Sequence, residues 1–412
     1  MTARGVVRRR QEPRSANDAR QQVNGRRRRT VGAVSLLSFQ RPPRPRATGG
    51  IRTDVRRLLP GVALIVLAGF GGLAGPDSAD ARLPVGRPVT IAWGGDTTLG
   101  SSHGLPPQQG WAQLAGVAPV LHAADLTAVN NEGTFATGGS SKCGGADSDT
   151  CFAFRAPPGN AATLQRAGVD IANLANNHAF DFGAAGWRQT VSALRRHGVG
   201  VTGRPNDILV RKVAGARVAF LGFSSYPWTA PIGDSATVRS MVRRARAKAN
   251  VVVVFFHAGA EGQGHEHTPA GPESYLGESR GNVRGFAHAA IEAGADLVLG
   301  SGPHVLRGVE LYHGRVIAYS LGNLAGYHNF ATGGTLSVSG ILRVTIDHDG
   351  SFLTGRFSSL QLDSAGIPHL DPAGSAGALV SQLGRDDFGS QALVVGADGT
   401  LKPTAADPLR HG

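Results

Sequence analysis

The feature that most constrains the fold is a set of short apolar segments that each end abruptly in polar, chemically active side chains. The clearest is residues 171–183, where an apolar run stops at Asn176-Asn177-His178 and a helical pattern begins after Asp181. This order predicts a strand, a polar loop and a helix. In α/β proteins, the loops at the carboxyl ends of strands are where ligands bind.

Similar segments recur along the chain. Strand patterns are predicted at about 88–93, 126–129, 217–223, 251–256 and 296–299, with helical patterns such as 235–248 and 283–292 among them. This alternation predicts βαβ units and a largely parallel sheet. Residues 335–346 and 351–362 instead alternate like an antiparallel hairpin turning at Asp349-Gly350, which indicates a second sheet or the second half of a sandwich.

The polar groups that follow the strands form one set: Asp96, Glu132, Asn177 with His178, His257 and His304. Buried acids and imidazoles are costly unless they are paired or bound to a cation. Their recurrence at equivalent ends of one sheet therefore predicts a shared site. Carboxylate, amide and imidazole ligands suit one or two divalent ions such as Mn, Fe or Zn. Such ions could activate water and hold the oxygens of a phosphoryl ester.

Each residue also has a simpler interpretation. Asp96 could cap a turn, and Asp181 is better read as the N-cap of the following helix than as a ligand. His265 and His267 flank Glu266 and are candidate extra ligands. The Gly-rich segment around them favours a solvated loop.

The net charge of +13 belongs to the first 57 residues. These hold 16 Arg and three acids, so the remainder has 42 − 16 = 26 basic and 29 − 3 = 26 acidic residues. The balanced remainder gives no argument for nucleic-acid binding. We expect residues 1–57 to be a disordered leader or a misassigned start, with Val55 a plausible initiator.

The next segment has the order of a secretory signal. Arg56-Arg57 precede an apolar run from 58 to 74, and the small-residue triplet 79–81 follows. This predicts a signal peptide over residues 58–81. The alternative is an uncleaved membrane anchor, which the short run with Pro60 disfavours. The expected location is secreted or in the cell envelope.

Cys143 and Cys151 are the two cysteines, and they lie in a Gly/Ser/Asp-rich segment. In an exported chain, this spacing predicts a short disulfide loop. A metal site is the weaker interpretation because nothing nearby completes four ligands.

Several motifs occur together in a recognisable order over residues 88–330. They are Gly95-Asp96-x-x-Leu-Gly100, Asn130-x-Glu132-Gly133, Phe152-x-Phe154-x-x-Pro157-Pro158, Ala175-Asn-Asn-His178-x-x-Asp181, His257-x-Gly-x-Glu261, Pro303-His304-Val305 and Tyr319-Ser-Leu-Gly-Asn323. Their combination resembles the CapA family of capsule and poly-γ-glutamate biosynthesis proteins, which is similar to calcineurin-like metallophosphoesterases.

The resemblance implies a fold and a ligand set. It implies a four-layer α/β/β/α sandwich over residues 82–365 with C-terminal antiparallel strands, followed by a tail at 366–412. By position, Asp96, Glu132 and His304 would bind one metal. Glu132, Asn177 and His257 would bind a second, with His178 as the acid or phosphate contact.

The chain departs from the family pattern at two positions. The family more often has Gly-Ser-His-Pro-His-Val, and Gly302 stands here in place of the first His of that motif. Ala258 similarly follows His257 where the family has Trp. The resemblance therefore leaves the second metal to be weak, absent or completed by water, His265 or His267.

The leading functional hypothesis is an exported CapA-like protein acting in the biosynthesis of capsule, poly-γ-glutamate or another cell-surface polymer. Its site would be a metal-dependent hydrolase site of the phosphoesterase type. Its partner would be an envelope polymer or a phosphorylated small molecule, with membrane contact only through an uncleaved leader. The alternative is a non-catalytic envelope protein that binds or tethers an anionic polymer.

Overall fold

The computed structural model describes residues 87–101, 103–144 and 151–404. The Arg-rich leader and the segment interpreted as a signal peptide or anchor lie outside these residues. Within the described ranges, no helix is long and apolar enough to cross a membrane.

The strands and helices alternate through the first half of the described chain. In order they are β1 (Val89–Thr98), α1 (Trp111–Leu114), α2 (Ala118–Leu121), β2 (Leu126–Asn131), β3 (Thr134–Phe135), β4 (Arg155–Ala156), α3 (Ala161–Arg166), β5 (Ile171–Asn173), α4 (Gly183–Arg196), β6 (Gly200–Thr202), β7 (Leu209–Val213), β8 (Ala216–Ser224), β9 (Ala230–Pro231) and α5 (Ser235–Arg246).

Strands are more frequent in the second half. The elements are β10 (Val251–His257), β11 (Glu273–Tyr275), β12 (Glu278–Gly281), α6 (Val283–Glu292), β13 (Leu297–Ser301), β14 (Val309–Tyr312), β15 (Arg315–Ala318), β16 (Asn323–Gly326), β17 (Val338–Ile346), β18 (Phe352–Leu362), β19 (Pro368–Leu370), α7 (Ser375–Phe388), β20 (Ala392–Val395) and β21 (Leu401–Pro403).

Two large mixed sheets form the centre of the fold. The first has the order β19-β18-β17-β1-β2-β5-β6, with β16 paired to β1. The second has the order β21-β20-β14-β15-β13-β10-β8-β7, with β9 paired to β8. In each sheet the βαβ strands run parallel and antiparallel strands flank them, as in β17 beside β1 and β14 beside β15.

Three apolar clusters show that the sheets are stacked between helices. One cluster joins Ile91 and Trp93 of the first sheet to Val253 and Phe255 of the second. Trp93 stacks on Phe255 at 4.8 Å between ring centroids and donates its indole N–H to the Gly300 carbonyl at 3.0 Å. The other two clusters lie on the outer faces of the sheets, one including residues of α3 and α4 and the other including residues of α5 and α6.

This arrangement confirms the four-layer α/β/β/α sandwich. It also explains the continuous apolar run Val-Val-Val-Val-Phe-Phe of β10. These six residues and the His257 that ends the strand are all buried. A central strand with a sheet on one face and helices on the other is apolar on both faces.

The C-terminal part of the chain corrects two expectations. The predicted hairpin is present as β17 and β18, but it extends the first sheet beside β1 instead of starting a second one. Residues 368–403, which the sequence assigned to a tail, form β19, α7, β20 and β21 and contribute strands to both sheets. Val380 and Leu393 from this segment are buried in the core between the sheets. The domain therefore continues past residue 365.

Candidate metal centre

The predicted polar residues come from the strand ends of both sheets, not of one sheet as the sequence suggested. Asp96 lies near the end of β1, and Glu132 directly follows β2. His257 is the last residue of β10 in the second sheet, and His304 lies three residues beyond the end of β13. The carboxyl ends of the two stacked sheets therefore meet at one site.

Asp96, Glu132 and His257 form the centre of this site. One ligand atom from each lies within 4.8 Å of the others, and all three side chains are fully buried. His257 Nδ1 is 3.5 Å from Asp96 Oδ1, and its Nε2 is 3.6 Å from Glu132 Oε1. His304 is also close to both carboxylates, with Nδ1 3.4 Å from Asp96 Oδ2 and Nε2 3.7 Å from Glu132 Oε1.

The hydrogen bonding of this cluster fits a cation. Both carboxylate oxygens of Glu132, the Nε2 of His257 and the Oδ1 of Asn177 are buried without a hydrogen-bond partner. Buried polar atoms are almost always satisfied, so unpaired atoms that cluster in one site need a specific explanation. Carboxylate, imidazole and amide oxygen are together a ligand set for Mn, Fe or Zn. The residues present therefore fit a divalent ion.

The charges of the side chains in this cluster also favour a bound cation. Burial and the neighbouring Asp96 carboxylate raise the pKa of Glu132 well above its usual range. Burial opposes ionisation of Asp96 as well, yet contacts with His257 and His304 hold its pKa at about 2. Although burial disfavours the charged imidazole, the carboxylates of Glu132 and Asp96 raise the pKa of His304 to about 9. Two acids thus share a buried site that is short of positive charge, which a divalent ion would supply.

Asparagine side chains that sequence reasoning did not assign hold the ligands in place. Asn130 Nδ2 donates to Asp96 Oδ1 at 2.7 Å and lies 3.0 Å from His257 Nδ1. Its Oδ1 accepts hydrogen bonds from Asn173 and Asn176. The Oδ1 of Asn323 lies 2.8 Å from His304 Nδ1. Such partners orient metal-binding imidazoles, and both Asn130 and Asn323 lie within the motifs noted in the sequence.

His178 is held by a carboxylate that the sequence interpretation misassigned. Asp181 does not cap α4, whose N-cap residue is Phe182 and has no side-chain capping hydrogen bond. Its Oδ2 instead lies 2.8 Å from His178 Nδ1 and accepts the Phe154 N–H at 2.7 Å, while Lys142 Nζ lies 2.7 Å from Oδ1. Burial lowers the pKa of His178 despite this carboxylate.

Gly302 occupies the position of the family's additional His. Its backbone has φ +108°, and a Cβ there would lie 2.9 Å from the Ala258 nitrogen. Its N–H donates to Asp96 Oδ2 at 3.0 Å. The chain therefore uses this position as a backbone donor to a ligand, and it leaves no room for an imidazole without movement of the chain.

The two candidate extra ligands lie apart from the centre. His267 Nδ1 is 2.8 Å from Asp387 Oδ1, next to the C-terminal end of α7, and 63% of its side chain is exposed. His265 packs edge-on against Tyr275 at 6.0 Å. Neither belongs to the metal-binding group found among the described residues. The structure therefore does not bring them to the candidate metal centre.

Glu261 and Arg280 form a second buried pair beside the site. The Arg280 guanidinium contacts the Glu261 carboxylate, donates to the Gly259 carbonyl at 3.0 Å and donates to the Tyr226 hydroxyl at 2.8 Å. Burial opposes ionisation of Glu261, but the nearby His304 and Arg280 charges lower its pKa. Sequence reasoning noted Glu261 only as a motif residue and had no signal for Arg280. The two residues are 19 positions apart and pair only in the folded chain.

The predicted disulfide between Cys143 and Cys151 is present. It closes the segment next to Lys142, whose backbone N–H also donates to the Asp181 carbonyl at 2.8 Å. The bridge therefore lies directly beside the residue that contacts the His178–Asp181 pair.

A pocket of ≈ 240 Å³ adjoins this centre. Asn177, His178, Glu261 and His304 contribute polar groups to it, and aromatic side chains make up much of the remaining wall. The candidate proton-transfer residue and two candidate ligands therefore face the same space.

Comparison with known proteins identifies a family match over the region that carries the site. The family described as bacterial capsule synthesis protein PGA_cap matches residues 90–327, which is more than half of the chain. All the predicted site residues, from Asp96 to His304, lie inside the matched range.

Two curated relatives are similar over parts of their length. The PGA biosynthesis protein CapA of Bacillus subtilis (strain 168) is 28% identical over 266 residues, which cover 60% of this chain and 63% of the relative. The capsule biosynthesis protein CapA of Bacillus anthracis is 29% identical over 180 residues, which cover 39% of this chain and 41% of the relative. The matches thus span less than two thirds of either relative.

Solved structures show weaker similarity. A 5'-nucleotidase precursor from Thermus thermophilus overlaps with a TM-score of 0.41 at 15% identity, covering 73% of this chain and 59% of that one. Purple acid phosphatase PPD1 from yellow lupin overlaps with a TM-score of 0.35 at 9% identity, covering 68% of this chain and 53% of that one. Structural similarities with TM-scores this low do not support an inference about function.

Proposed function

Because the chain belongs to the bacterial capsule synthesis protein PGA_cap family, we propose that it acts in the biosynthesis of capsule, poly-γ-glutamate or another cell-surface polymer. We propose that it does so through a metal-dependent hydrolase site of the phosphoesterase type. The observation that carries the hydrolase proposal is the group of unpaired, buried ligand atoms from Glu132, His257 and Asn177 at the ends of two sheets.

The ion would be held by Asp96, Glu132 and His257, with His304 and Asn177 as further ligands. A divalent ion in such a site acts as a Lewis acid on a phosphoryl or carbonyl oxygen and favours ionisation of water. Asn130 keeps the Asp96 carboxylate and the His257 ring in fixed orientations, because its side-chain amide contacts both. The ligands are thereby positioned before any substrate arrives.

His178 would transfer the proton. With His178 Nδ1 donating to the Asp181 carboxylate, Nε2 remains free to act as the proton acceptor beside the pocket. An imidazole held in one tautomer by a buried carboxylate can accept a proton from, or donate it to, a reacting oxygen. Lys142 balances the charge of Asp181 through the other carboxylate oxygen.

The test uses the purified full chain, with metal content measured by mass spectrometry and hydrolysis followed with a model phosphate ester. We expect wild type to bind Mn²⁺ or Zn²⁺ and to hydrolyse the ester. His178→Asn should retain the metal and lose about 100- to 10,000-fold in kcat. His267→Ala is the matched control, because this imidazole lies on Asp387 away from the centre, and it should change neither quantity.

The metalloenzyme proposal fails if wild type binds no divalent metal and His304→Ala alters neither stability nor hydrolysis. That result would favour the non-catalytic alternative, in which the protein binds or tethers an anionic polymer.

We also propose that the protein is exported, to the cell envelope or beyond. The disulfide between Cys143 and Cys151 supports this, because such bonds persist in oxidising compartments. Sequencing the N-terminus of the exported protein by mass spectrometry checks it. A mature start near Arg82 is expected for cleavage, whereas an intact apolar run 58–74 would show an anchor.

A further inference from the structure

Aromatic side chains form part of the wall of the pocket beside the metal centre. Its walls include the rings of Phe152, Phe154, Tyr275 and Phe330. Phe152 is 42% exposed, which is a large exposed area for a phenyl ring beside a polar site. A pocket with apolar walls and a few convergent polar groups is the usual form of a site for a small organic ligand.

Two of these rings pack directly on the side chains that would do the chemistry. Phe154 stacks on the His178 imidazole with ring centroids 4.4 Å apart and planes at 25°. The Phe330 ring lies 5.0 Å from the His304 ring. The two phenyl rings meet nearly edge to face, 6.4 Å apart at 81°. The apolar wall therefore begins at the candidate reacting groups, and a phosphoryl group held at this centre would have these rings beside it.

The charge of the pocket disfavours a polyanion. Among the described residues that line it, none is a Lys or Arg, and Glu261 adds a carboxylate. The nearby basic side chains are already engaged: Arg280 with Glu261, Lys142 with Asp181, and His304 with Asp96 and Glu132. A chain with a carboxylate on every residue would bring negative charges against apolar rings and a carboxylate, which costs desolvation and repulsion.

Size limits the occupant as well. A space of ≈ 240 Å³ is smaller than the pockets of about 300–1,000 Å³ that hold drug-sized ligands. Aromatic side chains prefer offset-stacked or edge-to-face contact with another flat ring. A single ring therefore fits the space and the walls better than a chain.

We propose that this pocket receives one flat, uncharged ring of a small phosphate ester whose phosphoryl group lies at the metal centre. The polymer chain itself is then not the occupant of the pocket. This inference rests on the proposed function, because it assigns the substrate class of the same site.

Binding of three probes to the Mn²⁺-loaded full chain tests the inference by calorimetry. Methylphosphonate reports oxyanion binding alone, phenylphosphonate adds one ring, and penta-γ-glutamate stands for the polyanion. We expect phenylphosphonate to bind at least about tenfold more tightly than methylphosphonate, and more tightly than penta-γ-glutamate.

Phe152→Ala should lower the ratio of the two phosphonate Kd values to below about threefold. Phe330→Leu, which keeps an apolar side chain but removes the ring, should lower it too. Leu353→Ala is the matched control, because it removes an exposed apolar side chain of similar accessibility, 50% against 42%, from β18. This control should leave the ratio unchanged.

The outcomes distinguish failure of the ring pocket from failure of the proposed phosphoesterase site. Equal binding of the two phosphonates, or tighter binding of penta-γ-glutamate, overturns the ring pocket while oxyanion binding at the metal stands. If neither phosphonate binds the metal-loaded protein, the phosphoesterase site and the ring pocket fall together.

Discussion

At the scale of single residues, the centre combines ligands that are costly to bury with neighbours that hold them still. Glu132 has two buried oxygens without partners, whereas Asp96 and His257 share the amide of Asn130. A site of this kind lowers the stability of the metal-free protein, and a bound ion restores it. Functional residues commonly carry such a cost.

Replacing Glu132 with Gln removes a buried carboxyl group whose pKa is raised by burial and whose two oxygens have no hydrogen-bond partner. We expect the metal-free variant to be more stable than metal-free wild type at neutral pH by about 1–3 kcal/mol. Burial raises the pKa of Glu132, so ionisation of this carboxyl group favours the unfolded chain, whereas Gln does not ionise. Added Mn²⁺ should stabilise wild type, by about 2.7 kcal/mol at 100 times Kd, and should have little effect on the variant. Thermal unfolding with and without Mn²⁺ measures both effects.

Glu278→Gln, at a carboxylate whose side chain is 62% exposed, is the control for losing a charge elsewhere. It should respond to Mn²⁺ as wild type does. A Glu132→Gln variant that keeps the full Mn²⁺ stabilisation would show that Glu132 is not a ligand.

Gly302→His restores the residue typical of the family, and we expect it to harm the protein. A side chain at φ +108° is strained by about 1–3 kcal/mol, and the Cβ would contact the Ala258 backbone. The variant should unfold at lower temperature and bind no additional metal by mass spectrometry. Gly333→His, at a glycine with open space around it, should leave the unfolding temperature close to that of wild type. A stable Gly302→His variant with an extra bound ion would contradict this prediction.

At the scale of secondary-structure elements, the loops after the strands are tied to one another through side chains. Trp228 donates its indole N–H to the Asn176 carbonyl at 3.0 Å, and Arg307 forms a buried ion pair with Glu273. Lys142, which precedes the disulfide-bonded Cys143, contacts Asp181 in the same way. These contacts fix the positions of the loops at the polar ends of the strands around the pocket.

Replacing Cys143 and Cys151 together with Ser should destabilise the protein by about 2–3 kcal/mol, because the bridge closes a short loop and limits the unfolded chain. Reductant should lower the unfolding temperature of wild type about as much as the double substitution does, and it should leave the unfolding temperature of the double variant unchanged. Thermal scans with and without dithiothreitol compare the four conditions. An unfolding temperature of wild type that does not respond to reductant would contradict the prediction.

At the scale of the whole molecule, the two sheets share one core, and the C-terminal segment belongs to it. Residues after 365 add Ala376, Val380 and Leu393 to the core between the sheets, and Phe388 to the cluster that includes α6. The final strands also extend the second sheet through β14. The fold is therefore completed by a part of the chain that lies beyond the family match at 90–327.

A chain ended after Ala365 should not fold. Removing several buried side chains, each contributing about 1.5–3 kcal/mol, takes away an amount comparable to the typical total of about 5–15 kcal/mol. A chain ended after Thr404, which keeps every described element, should unfold cooperatively. Solubility and circular dichroism on heating compare the two. A cooperative, metal-binding chain that ends at residue 365 would show that the tail is dispensable.

The sequence by itself determined the class of fold and the main site residues. Apolar runs of strand length that stop at Asp, Asn or His are a local signal, and the ordered motifs from Asp96 to Asn323 extend it to the family and its expected layers. The disulfide followed from cysteine count and spacing in the same way. Each of these inferences depends on residues close together in the chain.

Only the tertiary structure decided how these segments meet. In the folded chain, the strand ends that carry the site belong to two sheets. Asp181 contacts His178 instead of capping a helix, and His267 contacts Asp387 away from the centre. The tertiary structure also constrained the backbone of Gly302 so tightly that the position of a missing ligand became a donor to Asp96. These outcomes depend on contacts between residues far apart in sequence, and local patterns of apolar and polar residues do not encode such pairings.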